Sequence, residues 1–398
     1  MAEISRIVAI ADPLSLMAPW RWTRRQWCVG ALATMAGAST NALADTPRRW
    51  PALVQQGEVS MQRDGERDGG SLFRSDHFEF WVESVPSVAL MNDFARCAEA
   101  THRLWRELPL DVPPPSPGVG RAPVEIWRTA EGYARAGGPP NTSGSFRRGR
   151  GDSMGKLLVN AESLGLAEFN GTVTKAAGYR PKVLIHELSH QATADWLPFI
   201  PTWLSEGLAE YGAVLPYADG IFRLDADSLR TALRRHADYY RSSPDQGGVR
   251  RRESGIGGTG RLDRWLLPLH LLLDEGRVAA DLASGRLVDS HRVYFTALLL
   301  TFHLLHFDPI PAGSSVRPLV SMLSDLTRCV RRVFRREADV SLPRKIEEAH
   351  RRFEIRSPRD VSALLLPDVW AGRSPQSVQA ALVAAFARQG IALDFPPA

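Results

Sequence analysis

At 398 residues the chain can bury at least one large core, and its 44% hydrophobic and 23% charged content is that of an ordinary globular protein. The net charge of +5 comes from arginine scattered in short runs such as Arg147–Arg148, Arg250–Arg252 and Arg331–Arg332, without interleaved aromatics. That pattern describes solvated surface and argues against nucleic acid as a partner. The cysteines Cys28, Cys97 and Cys329 form no C-x-x-C, which excludes a thiolate metal site.

Near the N-terminus, Thr23-Arg24-Arg25-Gln26-Trp27-Cys28-Val29 precedes a small-residue apolar stretch, Gly30 to Ala38, and then Ala42-Leu43-Ala44. A charged start, a short apolar segment and an A-x-A ending describe a secretory signal over residues 1–44. A membrane span would need about 20 apolar residues. The paired arginines resemble a twin-arginine signal, an address read by an export receptor. The segment departs from that pattern in the length ahead of the arginines and in Trp27 and Cys28, and Met17 as the start would remove the first departure. The alternative is a disordered arm that happens to contain two arginines. Cleavage after Ala44 would leave a charge of +3, with Cys97 and Cys329 as one disulfide or two buried thiols. The expectation is an exported protein, periplasmic or extracellular, with no stable membrane span after cleavage.

Residues 45–71 show little apolar periodicity and include the polar run Gln62 to Gly70, which reads as an exposed linker or the mouth of a first strand. His77 to Val82 alternates as a strand should. Ser87 to Leu108 follows with a helical stripe of Leu90, Phe94, Cys97, Ala98, Thr101, Leu104 and Trp105. Pro113-Pro114-Pro115 breaks the pattern. Val124 to Trp127 reads as a strand, Thr129 to Ala136 as a short helix with Glu131 and Tyr133, and Gly144–Phe146 and Lys156–Asn160 as two further strands. Residues 72–165 thus form a small α/β module.

Residues 166–220 carry two helices. The first starts near Arg180 with Pro181 in its first turn and ends before Pro198, and the second opens at Pro201. Residues 221–398 read as mainly helical, with a glycine-rich, basic loop at 243–261. Tyr294 to Phe307 has no formal charge and reads as one buried core helix, too short to span a bilayer. Arg317–Arg336, Pro343–Phe353 and Val378–Arg388 complete the helices. The fold class expected is α+β.

The segment PKVLIHELSHQATADWLPFIPTWLSEGLAEYG, residues 181–212, carries the chemistry. His186, Glu187 and His190 make an H-E-x-x-H, and Glu206 follows His190 by sixteen residues. On a helix, positions i and i+4 differ by about 40° around the axis, so both imidazoles share a side. Two imidazoles and one carboxylate suit zinc and leave its fourth position open. Glu206 and Glu210 are again i and i+4. Two carboxylates on one face repel unless a cation or donor lies between them, which fits Glu206 as ligand and Glu210 as acceptor from a ligand imidazole N–H.

HELSHQ followed by PTWLSEGLAEY resembles the gluzincin branch of the zincin metallopeptidases, and the wording around Glu206 is similar to peptidase-MA-like proteins. The match covers about 30 residues. A looser likeness runs from the strand near His77 to the helix at Tyr294, where VYFTALLLTFHLL is similar to a tyrosine-bearing helix after the metal site. The resemblance implies a zincin-like core and one zinc per chain held by His186, His190 and Glu206. It implies Glu187 as general base and Glu210 as the carboxylate that orients a ligand histidine. Relatives often use Tyr or His to stabilise the oxyanion; Tyr294 is the leading candidate here and Tyr211 the second.

His270, His291, His303 and His306 lie on apolar helices and read as core or surface histidines. Gly144-Ser145-Phe146 is a candidate edge strand for pairing with a substrate backbone, and Arg147, Arg148 and Arg150 could read an acidic or C-terminal substrate. The function expected is hydrolysis of a peptide or protein substrate by an exported zinc metallopeptidase. The alternatives are a zinc-stabilised binding or structural module without turnover and a zinc hydrolase acting on other carbonyls.

Overall fold

The computed structural model describes residues 49–112, 120–139, 142–147, 155–197, 199–242, 266–283, 287–312, 317–336, 369–370, 372–393 and 395–396, without the side chains of 238–242, 275, 283–290 and 329–336. The leader, Pro113–Pro115, Arg148, Arg150, the loop at 243–261, the stretch Pro343–Phe353 and the Cys329 side chain lie outside that description. Within it the chain is mixed α and β.

The main sheet has six strands: β2 (Gln62–Arg67), β3 (Gly70–Arg74), β4 (Phe78–Val82), β6 (Ala122–Trp127), β8 (Lys156–Asn160) and β7 (Gly144–Arg147), side by side in that order. β4, β6 and β8 are parallel, while β2–β3, β3–β4 and β7–β8 pair antiparallel. Strict alternation in β6 turns Ala122, Val124 and Ile126 inward. In register, Phe80, Val124 and Leu157 form one inward row, and Val82, Ile126, Val159 and Gly144 the next. Parallel strands need a crossover. Between β4 and β6 it contains α1 (Val88–Glu107), capped by the Ser87 side chain, which accepts from the Leu90 N–H. Leu90, Phe94, Ala98, Leu104 and Trp105 of α1 share one core with the inward rows. Each of the leucines and phenylalanines among them, fully buried, stabilises the fold by about 1.5–3 kcal/mol.

Residues 49–71, expected as an exposed linker or the mouth of a first strand, carry β-strands. β1 (Leu53–Gln55) pairs with β12 (Ile221–Arg223), and every residue of β2 is exposed, so its strand is held by backbone pairing to β3 rather than by apolar alternation. Asp68 (φ 51°) and Gly69 (φ 76°) make the two-residue turn between β2 and β3. The same device joins β9 (Leu166–Phe169) to β10 (Thr172–Lys175) through Asn170-Gly171, and β11 (Tyr217–Ala218) to β12 through Asp219-Gly220. Positive φ at both positions is the type I′ pattern that matches the twist of a hairpin. A short β5 (Val85–Pro86) runs parallel to β10. Cys97 is a buried free thiol, held up at a pKa of about 12 by burial.

The short α2 (Ala130–Arg135) follows β6, and α3 (Ala161–Leu164) follows β8. Two helices come next: α4 (Pro181–Ala192), with Pro181 in its first turn, and α5 (Thr202–Val214), which has Pro201 at its N-cap. α4 buries Leu184, Ile185 and Leu188, and the Trp105 indole N–H donates to Ser189 Oγ at 3.0 Å. α5 packs closely at two glycines. A Cβ on Gly212 would meet Ser189 of α4, and one on Gly207 would meet Thr301 and, at 2.6 Å, the Ala297 carbonyl. Helices α6 (Ala226–Ser242), α7 (Leu269–Leu272), α8 (Glu275–Ala283), α9 (Leu287–Phe302), α10 (Pro318–Arg336) and α11 (Pro375–Arg388) complete the described elements. Among the described residues no helix is long and apolar enough to cross a membrane.

The expected core helix at Tyr294–Phe307 starts earlier, at Leu287, and changes to π-helical winding over His303–Phe307. Asp308, buried behind it, accepts both arms of Arg373 at 2.6 and 2.8 Å. His306 lies against Trp50 and Phe302, and its Nε2 is 3.0 Å from the Tyr211 hydroxyl. Burial, helped by nearby Arg317, holds the His306 pKa down to about 3 against an ordinary 6.5.

As pH falls below 6.5 the unfolded chain takes up this proton before the native state does. Stability present above 6.5 is therefore lost between 6.5 and about 3, by about 1.4 kcal/mol per pH unit. By pH 5 the loss is about 2 kcal/mol for this one group. Urea unfolding at pH 7 and pH 5 should show a pH dependence smaller by about this amount in His306→Phe. The variant is expected to be less stable at pH 7, because Tyr211 loses its partner. Equal pH dependence in the two proteins would contradict the assignment.

Candidate metal centre

α4 and α5 bring three of the predicted side chains to one point. His186 Nε2 and His190 Nε2 are 3.2 Å apart, and Glu206 Oε2 lies 3.4 Å from each. These three atoms form a nearly equilateral triangle. Its sides match the edge of a tetrahedron, about 3.3–3.4 Å, whose ligands stand about 2.0–2.1 Å from a central ion. Glu206 Oε2 is buried and has no hydrogen-bond partner among the described residues. An unsatisfied buried polar atom costs about 1–3 kcal/mol, more for a charged one. The three residues could hold a metal ion.

The electrostatics point the same way. Burial disfavours the charged form of Glu206, yet His190 and His186 outweigh it and hold the carboxyl well below the usual carboxylate range. Burial likewise disfavours a charged His186, but Glu206 and Glu210 draw a proton onto it and lift it well above the ordinary value. A buried group of carboxylates thus requires positive charge between them, which a metal ion would supply in place of that proton.

Glu210 stands one turn along α5 from Glu206. Its Oε1 is 3.1 Å from His186 Nδ1, and its Oε2 is 3.8 Å from His236 Nε2. The carboxylate therefore fixes the ring of His186 and faces a second imidazole from α6. His236 went unnoticed in the sequence. Its only signal is a place beside the buried stripe Leu229, Leu233 and Ala237. Burial lowers its pKa to about 4, against the pull of Glu210. Ser205 is a second unforeseen neighbour, with Oγ 3.3 Å from His190 Nδ1.

Glu187 points from α4 toward the edge strand β7. The Phe146 backbone N–H donates to its carboxylate, and a Cβ on Gly144 would fall 2.6 Å from Glu187 Cγ. Gly144 therefore lets the strand lie across the carboxylate. Burial raises the Glu187 pKa, and His186 and His190 oppose the shift. Tyr133 of α2 belongs to the same surroundings. Its hydroxyl lies 2.7 Å from Thr142 Oγ1, and burial first and Glu187 after it push its pKa up to about 12.

Tyr294 of α9 meets His186 edge to face, with ring centroids 5.8 Å apart. Burial, followed by Glu206, Glu187 and Glu210, holds its hydroxyl well above the ordinary tyrosine value, so it stays a donor. Tyr211 is not brought to this point. It is fully buried, and its hydroxyl pairs with His306 among Trp50 and Phe302.

Of the other histidines, His270 is exposed and His303 is buried beside Asp308 at 3.5 Å. His291 is half-buried, its pKa lowered by burial and raised in part by Glu210. Arg147 is turned back from the site, its guanidinium donating to the Ala136 carbonyl at 3.2 Å. The chain matches no protein-family model, no curated protein and no solved structure.

Proposed function

We propose that the chain is an exported zinc-dependent metallopeptidase with a zincin-like core. The observation that carries this reading is the triangle of His186 Nε2, His190 Nε2 and Glu206 Oε2 with Glu187 alongside it under an edge strand. Two imidazoles and a carboxylate in tetrahedral spacing are a donor set suited to zinc with one position left open. When bound, zinc supplies Lewis-acid charge that polarises a carbonyl and makes water acidic near neutral pH.

The chain's own residues account for the rest. Glu210 holds the ring of His186, and Ser205 that of His190, so both Nε2 atoms stay aimed at one point. Glu187 accepts a proton from the attacking water and returns it to the leaving amine. Its pKa, raised by burial, brings it nearer the pH at which it must exchange protons. Tyr294 keeps its proton and donates a hydrogen bond to the oxyanion, a contribution worth about 10²–10³ in rate where such donors have been removed. The outer edge of β7 has no strand neighbour among the described residues and offers backbone groups to an extended peptide. The signal-like sequence over residues 1–44 supports a site of action in the periplasm or outside the cell.

The test is cleavage of a broad peptide library by the purified full chain. Cleavage is expected with zinc bound, lost on chelation and restored by zinc. His190→Ala should lose both the zinc at this site and the cleavage. No cleavage of any peptide by fully zinc-loaded protein would instead assign the centre to a binding or structural role.

A further inference from the structure

A second group of metal-ligating side chains lies where β4 begins against α1. His77 immediately precedes β4, and Glu99 and His102 are i and i+3 on α1, so both helix residues face the strand. One ligand atom from each of the three residues falls within 4.8 Å of the others. Glu99 is almost fully buried. Its Oε1 accepts from the Ser75 hydroxyl at 2.7 Å and from the His77 backbone N–H at 2.8 Å, and its Oε2 is 2.6 Å from His77 Nδ1.

This is the carboxylate–histidine arrangement that, in metal sites, fixes the tautomer and turns the other ring nitrogen outward as a lone-pair donor. The His77 side chain is half exposed, so the ring can be reached from solvent. The His102 ring lies beside it, tilted by 34° with ring centroids 4.2 Å apart, and its Nε2 is buried with no hydrogen-bond partner among the described residues. Glu99 alone would explain a locked turn from Ser75 to Phe78. It does not explain why a half-buried second imidazole stands beside the first with its Nε2 buried and unpaired.

We infer that His77 and His102, backed by Glu99, form a second site for a divalent cation of the zinc class that clips β4 to α1. Imidazole donors favour zinc, nickel and copper over magnesium or calcium. The remaining positions would be filled by water on the exposed side of His77. The site uses none of the residues around His186.

The experiment is a count of zinc equivalents in the metal-free full chain after titration and desalting, with His77→Ala, His102→Gln and His190→Ala in parallel. Wild type should hold two equivalents and each of the three variants one. In His190→Ala the remaining zinc should shift the ring resonances of His77 and His102. His77 is half exposed, so His77→Ala keeps the test valid if His102→Gln does not fold. A single equivalent in wild type that disappears in His190→Ala would overturn the inference. So would two equivalents surviving in His77→Ala.

Discussion

Glu187→Gln is expected to keep its zinc and lose peptide hydrolysis by about 10²–10⁴, the usual contribution of a positioned general base. The substitution changes little else. Glutamine has the same shape, and its carbonyl can still accept the Phe146 N–H that holds the side chain in place. It fits beneath Gly144 as the carboxylate does, where a Cβ on the strand would already be too close. Glu187 is not one of the three atoms of the triangle, so metal content separates its role from theirs. Zinc by elemental analysis and turnover on the best library peptide are the two readouts. Undiminished turnover in the purified variant would remove Glu187 as the base, and loss of zinc would make it a ligand.

The part of the site legible in the sequence was the part with fixed spacing. His186 and His190 are four apart on one helix, and Glu206 and Glu210 four apart on the next, so helix geometry alone put each pair on a common side. Periodicity also sufficed for α1 and β6, which bury one face, while β4 and β8, buried on nearly every residue, were legible as short apolar runs. It failed for β2, whose residues are all exposed and whose strand exists through backbone pairing. Yet the three hairpins did leave a signal. Asp68-Gly69, Asn170-Gly171 and Asp219-Gly220 each carry the dipeptide that a type I′ turn requires.

Other features had little local sign. His236, Ser205 and Tyr133 reach the centre from separate elements, and nothing in their spacing links them to His186, His190 or Glu187. Tyr211 shows the converse. It follows Glu210 directly, but adjacent helical residues point about 100° apart, and the hydroxyl goes to His306 instead. Tyr294 lies far along the chain and comes to His186 because α9 packs on α5.

That packing gives the second large effect. Gly207→Ala is expected to destabilise the protein and weaken zinc binding together. On propensity alone the change should help, since alanine is favoured over glycine in a helix interior by up to about 1 kcal/mol. Contact reverses the sign. The new Cβ would lie 2.6 Å from the Ala297 carbonyl oxygen and also against Thr301 Oγ1. The hydroxyl can rotate away, but the carbonyl is part of α9, so the helices must separate. Overpacking of this kind costs about 1–3 kcal/mol. Glu206 is the preceding residue on α5 and Tyr294 lies on α9, so separation moves the proposed ligand and the proposed donor apart. Zinc affinity should fall by about 10–100-fold, as when a supporting contact of a metal site is lost. Urea unfolding of the metal-free protein and zinc competition against a chelator measure the two effects separately. Adding Thr301→Ala should recover only part of each, because the carbonyl remains. Unchanged stability and affinity in Gly207→Ala would mean that α5 and α9 have room to spare, and that the glycine is not what sets Glu206 in place.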